Sequence, residues 1–141
     1  MSDLYDDDIL LWSERQGDLL RRIARGEPPN EPPDWVNIID EVESVGREQL
    51  HAVESLLFQA LFHTLKAEAW PFSRDADNWR ADGRGFRAQA RRRFAPSMRQ
   101  KIDLDGIYAD ALKALPERLD GQPGRPVSHQ CPMTLDELLV P

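Results

Sequence analysis

Glu48 and His51 stand three residues apart in a stretch with helical periodicity, the spacing by which one helix can offer a carboxylate and an imidazole to the same metal ion. A carboxylate-bridged dimetal bundle needs that Glu-x-x-His motif twice, with two more carboxylates from other helices, and the chain holds a single copy. A metal-dependent enzyme built on Glu48 and His51 is therefore the last-ranked reading, and no cofactor is expected. Zinc has less support still, because His129 and Cys131 have no Cys-x-x-Cys partner.

Arg80, Arg84, Arg87 and Arg91 recur at i, i+4, i+7, i+11 and so line one face of a helix, with Arg92 and Arg93 beside them. Such a row could track phosphates while Trp79 or Phe86 stacks on a base, which makes nucleic-acid binding the alternative function. The competing expectation is internal: Asp40, Glu41, Glu43 and Glu48 offer enough carboxylate to hold these guanidinium groups, and the chain as a whole is acidic at −7. Pairing or a solvated face is the favoured reading.

His63 falls on an apolar helical stripe near the angular position of Glu41, so these two are the candidates for buried polar groups, each needing a hydrogen-bond partner. A catalytic His63 would need a nucleophile or a pocket, and no Ser, Cys and His set is arranged as one. Gly83 and Gly85 lie in a charged helical pattern with no strand before them, which excludes a phosphate loop. The balance points away from an enzyme.

The elements that carry these residues are helices. Between the Pro32-Pro33 pair and Pro71 the one helix breaker is Gly46, and the pattern predicts a helix over residues 35–70, capped by Asp34. Ile38, Val42, Val45, Gln49, Val53, Leu56 and Ala60 form its main stripe, with Asp40, Ser44, Arg47 and His51 pointing away. Beyond Glu54 the polar face ends, since Phe58, Phe62 and Leu65 occupy it, and a helix apolar on every side must be wrapped by others. The fold class expected is all-α, a small helical bundle around one long central helix. Such a helix spans about 52 Å at 1.5 Å per residue, against a radius of gyration of about 14 Å for a compact chain of this length. One end is expected to project or bend near Gly46, or to be covered by a second copy.

The other elements follow from punctuation. A first helix is expected in residues 1–26, after Asp6-Asp7-Asp8 and up to Gly26, then a proline-rich connector over 27–34. An arginine-rich helix is expected over 75–94, a fourth over 96–116 with an interruption near Gly106, and a loop with a short last helix over 117–141, where Thr134 and Glu137 form a capping box. All of it is read as one domain of 141 residues. Trp12, Trp35, Trp70 and Trp79 stand near helix ends and are expected to pack there, while Tyr5 and Tyr108 are isolated.

Charge is unevenly placed. Residues 1–73 balance at −9, residues 74–101 at +6 and residues 102–141 at −4. The lone Cys131 fits a reducing compartment, the acidic first residues do not resemble a secretory leader, and the longest uncharged apolar run, Ser55 to Leu65, is far shorter than the roughly 20 residues of a membrane span. A cytoplasmic protein with no membrane partner is expected.

Five blocks carry a family resemblance: Leu4-Tyr5 with Asp8 and Trp12; Asn37-Ile38-Ile39-Asp40-Glu41-Val42-Glu43-Ser44-Val45-Gly46-Arg47; His63 through Lys66; Trp79-Arg80; and Cys131-Pro132-Met133-Thr134-Leu135. In that order they resemble a bacterial domain-of-unknown-function family, the twenty-ninth of its numbered series, with a proline connector longer than the family pattern. The resemblance implies a small all-helical protein and assigns no chemistry. The function expected is a cytosolic helical protein-interaction or accessory module, its partner a protein or a second copy of itself, with nucleic acid ranked lower.

Overall fold

Asp8 starts the first helix where the sequence places it, after the acidic cluster, and also ends a one-turn helix that the sequence reading lacks. In the computed structural model, which describes residues 3–140, α1 (Leu4–Asp7) closes when the Asp8 amide donates to the Leu4 carbonyl. The Asp8 carboxylate then accepts the Leu11 amide at 3.1 Å and starts α2 (Ile9–Ala24). One residue thus ends a helix and caps the next. α2 ends in a Schellman motif around Gly26 at φ 78°, where Gly26 and Glu27 donate to the Ile23 and Arg22 carbonyls.

The chain forms two compact units, residues up to Arg47 and residues from Glu48 onward. The long helix α3 (Trp35–Ala69) runs through both and stays helical at Gly46. In the first unit, Asp34 opens α3 as its carbonyl accepts the Ile38 amide, while its own amide donates to Gln16 Oε1 at 2.8 Å. Trp12 and Leu19 of α2 are buried there, Trp12 against Tyr5 in an edge-to-face pair 4.8 Å between centroids.

In the second unit, Val53, Leu57, Leu61 and Leu65 of α3 are buried against Ala90, Tyr108, Ala111 and Leu138. These come from α4 (Ala76–Arg93), α5 (Leu104–Ala114) and α6 (Leu135–Leu139). Phe58 and Phe62 are half-buried against the same cluster. A Cβ on Gly83 would sit 3.1 Å from Thr64 Oγ1 and 3.4 Å from the Ala60 carbonyl oxygen, so the missing side chain is what lets α4 approach α3 there. A second cluster, Ala67, Ala69, Trp70, Ala76 and Trp79, closes the turn between the two helices.

The expected fourth helix over 96–116 is two pieces, a 3-10 turn at Pro96–Met98 and α5. Its break lies at Asp103, whose carboxylate caps the Gly106 amide at 3.1 Å, rather than at Gly106 itself. The expected loop from Asp120 is also more ordered than read. Strands β1 (Arg118–Leu119) and β2 (Gln122–Pro123) pair antiparallel across Asp120 and Gly121, both at positive φ, the backbone of a tight hairpin turn. Trp70 Nε1 donates to the Gln122 carbonyl at 3.0 Å and ties the hairpin to the end of α3. The Thr134–Glu137 capping box is present at the start of α6.

Candidate functional site

Each residue with chemistry in its side chain has a definite place. Glu48 and His51 are exposed on α3, and His51 shares an open cleft of about 470 Å³ with Glu54 and Asp110. Among the described residues no three His, Cys, Asp or Glu side chains come together as a metal site. Cys131 is half-buried, its thiol donating to the Met133 carbonyl at 3.3 Å.

The arginine row divides in three. Arg80 pairs with Asp77 one turn away at 2.8 Å, and Arg84 and Arg91 are exposed with no side-chain partner among the described residues. Arg87 is half-buried and donates from Nε to the Leu138 carbonyl and from Nη2 to the Glu137 carbonyl, both at 2.9 Å. Its partners are therefore backbone oxygens of α6, where the carboxylates of α3 were expected. Three of those carboxylates are engaged locally, Asp40 holding Arg47 at 3.1 Å with Glu43 at 3.9 Å and Glu41 accepting the Tyr5 hydroxyl, while Glu48 is exposed. Trp79 is buried beneath Lys66, whose Nζ lies 4.5 Å from the ring centroid, so that ring has no free face for a base.

Glu41 and His63 are half-buried rather than enclosed, and no polar residue among the described ones is fully buried. His63 Nδ1 lies 2.8 Å from the Gln59 carbonyl of its own helix. A carbonyl only accepts, so Nδ1 carries the proton and Nε2 is the free position. Phe86 packs on the ring at 5.2 Å. His63 thus serves the contact between α3 and α4.

The Tyr5 bond to Glu41 pushes the phenol up to about 12, chiefly because the carboxylate accepts its proton, and secondarily through burial and the charges of Glu41, Asp40 and Asp6. Burial is the main cause that raises Tyr108 as well. A pKa raised on folding means stability that is full below the ordinary value of 10.0 and lost as pH climbs through about 12. The Tyr5 phenolate should accordingly be absent from the folded protein at pH 10, and Tyr5→Phe should remove a step near pH 12; loss of a step near pH 10 would refute the bond. Asp34 moves the opposite way, its carboxylate stabilised below 3.8 by donors from Asn37 and Trp12.

These bonds reveal what the sequence reading missed. The side of α3 turned to α1 and α2 in the first unit is polar: Asp34, Asn37, Glu41 and Ser44 are half-buried there, bonded to Trp12, Gln16 or Tyr5 or to one another. The apolar stripe is left in water. Val36, Ile39, Val42 and Val45 are 80%, 54%, 68% and 63% exposed, Val42 and Val45 belonging to the expected main stripe, and Trp35, expected to pack, is 49% exposed. Ser44, expected to point away, faces inward. The signal was available in Tyr5, Trp12 and Gln16, whose polar tips suit a polar helix face.

Fold and site together define an all-α protein organised on one long helix with an open apolar face. The chain belongs to the family described as domain of unknown function DUF29, whose model matches residues 4–141. A crystal structure of an alpha-helical protein of unknown function from Rhodospirillum rubrum is similar over 99% of this chain and 90% of that one, at 24% identity and a TM-score of 0.63. That likeness extends to the fold alone. No curated protein matches the chain.

Proposed function

We propose that this protein is a helical interaction module that docks another protein on the apolar face of α3. One observation carries the reading: five large apolar side chains at helical spacing, Trp35, Val36, Ile39, Val42 and Val45, each about half exposed or more. Monomeric soluble proteins rarely leave contiguous apolar area beyond a few hundred Å² bare without a use for it. An amphipathic helix laid along such a stripe would bury anchors at i, i+3, i+4 and i+7. A scaffold role is supported by Arg87 and Cys131, whose side chains are bonded to backbone carbonyls. Residence in the cytoplasm is part of the same proposal and is supported by a free Cys131 and by the lack of any helix, among the described residues, long and apolar enough to cross a membrane.

A photo-reactive side chain placed at Val42 should give discrete protein adducts in the native cells, and one placed at the exposed Asp105 should not. Ile39→Ser should abolish the adducts. Equal adducts at both positions, or none at Val42, would end the proposal.

A further inference from the structure

We infer that the occupant of this face is a cationic amphipathic helix supplied by a different protein, an inference that rests on the docking reading above. Charge is the first argument. The first unit, through Arg47, holds 12 Asp+Glu and 5 Lys+Arg and so carries the whole net charge of −7, while the second holds 13 of each and is neutral. Arg47 is the one cation in residues 34–47, and Asp40 and Glu43 already neutralise it. Beside the stripe the exposed charges are Asp40, Glu43 and Arg47, a balance of −1 within a unit of −7, and that acidic unit is complementary to lysine and arginine flanking an apolar seam.

A second copy of the chain fits poorly for two reasons. Stripe against stripe would bring two units of −7 together, a like-charge juxtaposition that disfavours self-association. Stripe against the second unit would find no apolar surface, since among the described residues its exposed large hydrophobics are Phe72 and Val140 alone. The exposed arginines Arg84, Arg91, Arg92 and Arg93 supply charge without an apolar seam beside them. The exposed Ile9, Leu10, Leu11 and Ile23 of a second copy's α2 belong to a unit that itself carries −7, so they too would bring like charges together, and a foreign segment meets both requirements better.

The test uses the full chain and a labelled synthetic helix of about 18 residues, five turns, with leucine at i, i+3, i+4, i+7 and lysine elsewhere. Two control peptides replace every lysine by glutamate or scramble the leucines. The cationic amphipathic peptide should bind at least tenfold more tightly than either control, and Val42→Ser with Val45→Ser should weaken it about tenfold. Both sites are exposed, so the double variant should fold with little change in stability. Binding of the glutamate twin with equal affinity would overturn the cationic occupant and leave the docking reading standing. A dimer in sedimentation that the double variant dissociates would do the same and assign the face to a second copy. Cationic binding that survives the double variant would also overturn the inference, because the attraction would then be charge alone.

Discussion

Leu57→Ala should lower stability by about 3 kcal/mol and the thermal midpoint by about 10 °C, while Val42→Ala, on the same helix, should change it by no more than about 0.5 kcal/mol. Leu57 is fully buried in the main cluster, as are Val53 and Leu138, so truncation removes apolar contact and leaves a cavity in that cluster. Val42 is mostly in water and loses little. By composition the two sites look alike. Thermal and denaturant melts of both variants measure the difference, and a Val42→Ala cost equal to that of Leu57→Ala would mean that the apolar face is covered and unavailable to a partner.

That contrast marks how far the sequence could be read. Local signals were legible: α3 was expected from 35, capped at Asp34 and free of proline, and Thr134 and Glu137 announced α6 three residues apart. Aromatics crowding the polar side after Glu54 correctly foretold coverage of the C-terminal half, because a helix apolar all round has no solvent face. Periodicity in the first half revealed an amphipathic helix but not which face had a neighbour. Amphipathicity says that two faces differ. It does not say which is covered within the chain and which by something else, and here the intrachain neighbours Tyr5, Trp12 and Gln16 bring hydrogen-bonding tips that match Asp34 and Glu41. The hairpin was missed for a smaller reason: strands of two residues show no alternation, and Asp120-Gly121 was the sole turn signal.

The arginine row was legible as a row and opaque as to role. Spacing makes Arg80, Arg84, Arg87 and Arg91 equivalent, yet they divide by what lies opposite, and Arg87 meets carbonyls 50 and 51 positions away. α6 has five residues, so its last carbonyls have no helical amide to bond, and the Arg87 guanidinium satisfies those of Glu137 and Leu138. Leu138 is simultaneously buried in the main cluster. Arg87→Met keeps the apolar stem and removes both donors, stranding the partly enclosed Leu138 carbonyl and leaving that of Glu137 to water. The expected cost is about 2 kcal/mol, the range for hydrogen bonds from a charged group, with faster amide exchange in α6. Arg84→Met and Arg91→Met should each fall within about 0.5 kcal/mol, as exposed side chains with no partner. Indistinguishable melts for all three variants would show that Arg87 does not hold α6, and would return it to the solvent-facing row in which sequence alone places it.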